Sequence, residues 1–218
     1  METASAERVA RPRYLTWRYK FLTIQTVGRP KQFDPDAAAE QAMEVFWRKG
    51  YAATTPQDLV DALGIGKGSL YNAFGSKHEL FELALRRYRD SQGAALLEML
   101  EEPGPVKDRL RKTLRVLAEM DVAAPERRGC MAVNAAAELA GTDEPVTDLV
   151  RRMFDRMEEA FRWLVEEGQR SGEIAAGRDA RDVAGLLLNA AVGLRLLARI
   201  ADGTDRLSRV IDATVDAL

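Results

Sequence analysis

Apolar residues along this chain recur with the period of a helix almost throughout. Ala39, Ala42, Met43, Phe46 and Trp47 fall at i, i+3, i+4, i+7 and i+8, one buried stripe. Asp34 supplies an N-cap before Pro35 at the first helical position, and Gly50 marks the end. Thr55, Pro56 and Asp58 predict a second start, with Asp in the place of the capping-box glutamate. Leu59, Val60 and Leu63 form its apolar face before Gly64 stops it. A third short helix spans roughly 66–74, with Leu70 and Phe74 on its inner side. Ser76 caps a fourth, in which Phe81, Ala84, Leu85 and Tyr88 point one way.

The helical pattern continues beyond Ser91. Helices are expected from Pro105 to about Met120 and from about Cys130 to Ala140. A long amphipathic helix follows Pro145, carrying Val146, Leu149, Val150, Met153, Met157, Phe161 and Leu164 on its face. The turn Ser171–Ile174 precedes a small-residue, apolar helix from Asp179 to about Ala201, and Asp202–Asp205 separates that from a last helix reaching Leu218. Only Arg13–Thr26 alternates as a strand would, and one strand without a partner makes no sheet. The pattern therefore predicts an all-α fold. Its divisions are a basic arm over 1–32, a three-helix unit over 33–80 and a helical body over 81–218.

Composition narrows the class. In 218 residues, 46% are apolar and 30% charged, an ordinary globular balance. The single cysteine, Cys130, excludes an internal disulfide framework and suits a reducing cytoplasm, the expected location. No apolar run approaches the ~20 residues that span a bilayer. Net charge is −2, but it is unevenly placed: basic residues dominate 1–34 and acidic ones dominate beyond residue 90. An anionic partner would therefore meet the N-terminal end.

The stretch Gly64–Leu80, "GIGKGSLYNAFGSKHEL", is where chemistry concentrates. Two short helices joined across Gly64-Ile65-Gly66 make a helix-turn-helix, whose second helix enters the DNA major groove N-terminus first. Gly66 and Gly68 then let backbone approach the duplex. Lys67 and Ser69 can reach bases or phosphates, and Tyr71 and Asn72, nearly a turn on, phosphates or a thymine methyl. Lys77, in the first turn of the next helix, is placed for a phosphate beside the open N–H groups there. Thr55, at the start of the second helix, is a further DNA candidate besides being a cap.

Residues Gly50 to Leu85 resemble the DNA-binding domain of the TetR family of bacterial transcriptional regulators. The resemblance rests on Gly50-Tyr51, Thr55, Leu63-Gly64, Leu70-Tyr71, Phe74 and Lys77-x-x-Leu80. It implies a homodimeric regulator, most often a repressor, on a palindromic double-stranded DNA operator, released by a small-molecule effector. It also implies a basic arm before the first helix, to which Arg29 and Lys31 belong, suited to a narrow minor groove. Residues 1–26 extend upstream of the usual family start, making Val27 an alternative first residue. Gly66 departs from the family pattern, which often has Ser or Thr as a cap there.

In the body, Cys130, Asn134 and Glu138 lie four residues apart on one stripe of an Ala-rich helix. Such a stripe is either a pocket wall or a buried hydrogen-bond network. It is similar to a branch of the family with electrophile-responsive members, which implies Cys130 as an alternative, thiol-based sensor; the bland reading is a small buried residue. Dimerisation is expected through Leu187, Ala190, Ala191, Leu194, Leu197, Val210 and Val215 of the last two helices. Nothing calls for a metal or other cofactor, and no nucleophile–base pair suggests an enzyme. The remaining rival is a helical interaction protein whose DNA binding has decayed.

Overall fold

The computed structural model describes residues 33–124 and 126–218. The strand-like stretch, Arg29 and Lys31 lie outside them. The described residues form only helices: α1 (Pro35–Lys49), α2 (Pro56–Leu63), α3 (Lys67–Phe74), α4 (Lys77–Tyr88), α5 (Ala94–Leu100), α6 (Val106–Ala123), α7 (Met131–Leu139), α8 (Glu144–Ser171), α9 (Ala180–Ala198) and α10 (Asp205–Asp216). A π-helical turn, Arg89–Gly93, joins α4 to α5 without a break in the rod. Neither α5 nor this turn has a periodic signature in the sequence.

Side-chain caps set the starts of three of the first four helices, α1, α2 and α4. The Asp34 carboxylate accepts from the Asp36 N–H at 2.9 Å, and Ser76 accepts from Glu79 N–H at 3.0 Å. At α2 the full capping box is closed. Thr55 accepts from Asp58 N–H, and the Asp58 carboxylate accepts from both the Thr55 N–H and its hydroxyl, each at 2.8 Å. Lys49 Nζ donates to the same carboxylate at 2.6 Å. This bond first, and then the Thr55 bonds, hold the Asp58 carboxyl well below the usual carboxylate range.

Apolar side chains gather into two cores. The first joins α1, α2, α3 and α4 through Met43, Phe46, Leu59, Leu70, Leu80 and Phe81. It also takes in Cys130, Met131 and Ala135 of the α7 region with Val146 and Leu149 at the start of α8. The second core joins α6, α8, α9 and α10 through Leu110, Leu114, Phe161, Leu187, Leu194 and Ile211. The 28-residue α8 belongs to both, its first turns to one and its middle to the other. An amphipathic stripe of this length needs two partners in sequence, and that makes α8 the spine of the molecule.

Four residues expected at a dimer interface are instead interior to the protomer. Leu187, Ala191, Leu194 and Val215 sit in the second core, Leu187 and Val215 with no exposed surface at all. The reason is helical phase: positions 187, 191 and 194 form one stripe of α9, which packs on α6, α8 and α10. Leu186 and Leu196 of α9 point away from this stripe and are exposed, as is Ile200 just past the helix end, by 77%. Of the remaining expected residues, Ala190 and Leu197 are half-buried and Val210 is exposed.

Candidate nucleic-acid interface and body cavity

Helix α3 is short, and a single residue, Leu70, anchors it at 1% exposure. Phe74 assists from the end, packing near Phe33 with ring centroids 6.2 Å apart. The opposite face is bare: Lys67, Gly68, Ser69 and Asn72 are exposed, and Tyr71 is half-buried. Gly66 caps the helix with no side-chain hydrogen bond. A Cβ at Gly66 or Gly68 would meet nothing within 4 Å, and Gly66 has a φ of −68° that any residue adopts. Neither internal packing nor backbone strain requires glycine at these positions. An external surface closing on the helix would.

The expected DNA residues outside α3 are placed differently. The Thr55 hydroxyl commits its proton to Asp58, so it cannot donate to a phosphate while the capping box is closed. The Lys77 ammonium turns inward, donating to the Thr54 carbonyl at 2.7 Å and lying 4.3 Å above the Tyr51 ring. Two of its three N–H groups remain for other acceptors. Lys77 thus ties the start of α4 to the α1–α2 turn.

The three-residue stripe on α7 does three separate things. Cys130, the N-cap residue of α7, lines a cavity of about 130 Å³. Leu96, Leu117, Met153, Phe154 and Met157 contribute to its apolar wall, and Arg89, Gln92 and Gly93 of the π-helical turn also line it. π-helical turns of this kind are frequent at functional sites. The polar side of the cavity is a chain. Arg195 makes a fork to Asp121 at 2.8 and 2.9 Å and donates to the Tyr88 hydroxyl at 3.2 Å, and that hydroxyl reaches Cys130 Sγ at 3.4 Å. Burial works against the Arg195 charge, but the Asp121 hydrogen bonds, together with the Tyr88, Cys130 and Asp121 electrostatic contributions, outweigh it and raise the guanidinium further. Burial, then the neighbouring thiol, pushes the Tyr88 hydroxyl up, so it stays neutral.

Asn134 and Glu138 are not on the cavity wall, so only Cys130 fits the first of the two readings of the stripe, pocket wall or hydrogen-bond network. Asn134 donates to the Arg128 carbonyl at 2.8 Å and accepts from Arg199 at 2.9 Å, fixing the loop before α7. The Glu138 carboxylate accepts from the Tyr51 and Ala52 N–H groups at 2.8 and 2.5 Å. Spacing alone put these three residues on one stripe. The stripe, however, runs from the cavity past α9 to the α1–α2 turn, so each residue meets a different neighbour. The Arg195–Asp121 pair leaves no mark in the sequence, because its partners are remote along the chain and neither belongs to a motif.

Comparison with known proteins supplies the context. Residues 39–84 match the family described as "Bacterial regulatory proteins, tetR family", and residues 106–214 match "Tetracyclin repressor-like, C-terminal domain". The HTH-type transcriptional regulator YezE of Bacillus subtilis is 33% identical over 196 residues, covering 88% of this chain and all of that one. The transcriptional repressor ComR of Escherichia coli is 29% identical over 189 residues, 86% of this chain and 90% of ComR. Among solved structures, a cysteine mutant of the TetR family regulator CifR, complexed with 26 bp double-strand operator DNA, superposes with a TM-score of 0.77. It is 31% identical, covering 87% of this chain and 99% of CifR.

Proposed function

Since the chain belongs to the TetR family and is a DNA-binding transcriptional regulator, not an enzyme, we propose that it is a cytoplasmic repressor released from a palindromic operator by a small molecule. Residues 33–80 form the DNA-reading unit and residues 81–218 the ligand-binding and dimerisation body. The observation that carries the DNA reading is the bare N-terminal half of α3, where Lys67, Gly68 and Ser69 are exposed and the glycine has no internal reason to be one. Lys67 and Ser69 contact the duplex, Gly68 admits it closely, and Tyr71 and Asn72 flank the contact. Arg29 and Lys31 add backbone charge from the arm. Lys77 contributes from its tied position with its remaining donors, and Thr55 through the helix it starts.

The body cavity takes the effector, a role supported by its apolar wall, its few convergent polar groups and its place against α4. Two copies pair through the outward side of α9, α10 and their connection, where Leu186, Leu196, Ile200 and Val210 are exposed and Ala190 and Leu197 half-buried. No helix among the described residues is long and apolar enough to cross a membrane. A gel shift on the DNA flanking its own gene tests the reading. Wild type should shift a specific fragment, and Lys67→Ala or Ser69→Ala should change which fragments are preferred. Absence of any shift at low salt would overturn it.

A further inference from the structure

The carboxylate of Glu138 is a feature of α7 that local propensity argues against. It stands in the last turn of a helix, where the dipole favours cations and disfavours acids. Its compensation is not in α7 at all. Each oxygen accepts one backbone N–H of the α1–α2 turn, from Tyr51 and from Ala52. Gly50 makes room: its φ is +81°, and a Cβ there would lie 3.0 Å from Glu138 Oε2.

That turn passes the constraint onward. Thr54 donates its hydroxyl proton to the Gly50 carbonyl at 2.6 Å, and its own carbonyl holds Lys77 at 2.7 Å. Tyr51 supplies the ring beneath the same ammonium. Thr55, next along, opens α2. The segment clamped by Glu138 thus aligns the starts of α2 and α4, the helices on either side of α3. A second tie runs in parallel, from His78 Nε2 on α4 to the Asp143 carboxylate at the start of α8, 2.6 Å apart.

We propose that Glu138, carried by the body, is a positioning residue for DNA binding: it holds the α1–α2 turn so that α2, α3 and α4 meet the duplex in register. It touches no DNA itself. Cys130 on the cavity wall and Glu138 on this turn stand at opposite ends of α7, roughly 12 Å apart at the helical rise. A shift of α7 therefore reaches the DNA-reading helices directly. The inference rests on the DNA-binding reading but not on the identity of the effector.

The test uses the full chain, with duplexes that wild type enriches from a randomised double-stranded pool. Glu138→Ala should bind the enriched duplex about tenfold more weakly, the order of one charge-assisted hydrogen-bond pair. Its affinity for unselected duplex, its salt dependence and its Tm should stay close to wild type. The phosphate contacts are intact, and water can reach the N–H groups it leaves behind. Glu138→Gln, which keeps one acceptor oxygen, should fall between. Wild-type affinity for Glu138→Ala overturns the proposal, as does equal loss on enriched and unselected duplex or a loss that tracks a fall in Tm. A wild-type protein that enriches no duplex overturns the DNA reading and this inference together.

Discussion

Helices α3 and α7 look alike on paper and behave as opposites. Each is about two turns long, and each starts at a residue that gives no side-chain cap, Gly66 in one and Cys130 in the other. α3 buries one residue, Leu70, and leaves its first turn bare. α7 buries Met131, Ala132 and Ala135 and is pinned at both ends. Before its first turn, Trp47 Nε1 donates to the Gly129 carbonyl at 2.7 Å, and Arg128 stacks 3.7 Å above the Trp47 ring and pairs with Glu44. At its last turn, Glu138 holds the α1–α2 turn. The same local weakness, a short helix with an uncapped start, thus has two meanings. Where the start is solvent-exposed it leaves a surface for a ligand to complete; where it is buried, tertiary contacts have already completed it.

Substitutions can break that contrast. The largest effects are expected in the two packing sites. Leu70→Ala removes the only buried side chain of α3 and should cost ~2–5 kcal/mol in denaturant unfolding, with loss of operator binding. Ala135→Leu in α7 should cost ~1–3 kcal/mol by overpacking. An exposed α3 position should show the reverse. Gly68→Ala meets empty space and should stabilise the fold by up to ~1 kcal/mol while weakening operator binding in the same gel shift. An unchanged affinity would separate Gly68 from the DNA face.

The smallest effect concerns the cap of α2. The Asp58 carboxyl is depressed by Lys49 and Thr55, so its folded pKa lies below its unfolded one. Its contribution to stability is therefore fully present above the unfolded Asp value, about 3.9, and is lost as pH falls through the depressed folded value. Asp58→Asn should lower Tm slightly at neutral pH, and the difference from wild type should shrink as the pH falls toward strong acid. A constant difference would show that shape, not charge, closes the capping box.

Much of this molecule is legible in its sequence because much of it is local. The caps at Asp34, Thr55 and Ser76, the glycine stops and the i, i+3, i+4 stripes each act within one or two turns, and the observed helices follow them closely. The bare face of α3 is legible for the same reason: its residues are exposed wherever Leu70 and Phe74 turn inward. Positions whose meaning depends on a remote neighbour were not legible. α9 has apolar residues all round, so its sequence cannot say which of Leu186 and Leu187 faces the core. The sequence puts Cys130, Asn134 and Glu138 on one stripe, but packing sends them to a cavity, a loop and a turn.

By itself, then, the sequence determined the helices other than α5 and the π-helical turn, the caps at Asp34, Thr55 and Ser76, and the exposed first turn of α3, because hydrogen bonds and periodicity within a few residues decide those. Tertiary structure alone decided that α7 and the first turns of α8 join the N-terminal core and that Arg195 meets Asp121 beside a cavity. It alone also carried Glu138 to the α1–α2 turn. Those contacts span about 70 to 90 residues of chain, and no local preference selects a partner at that distance; only the packing of one helix face against another does.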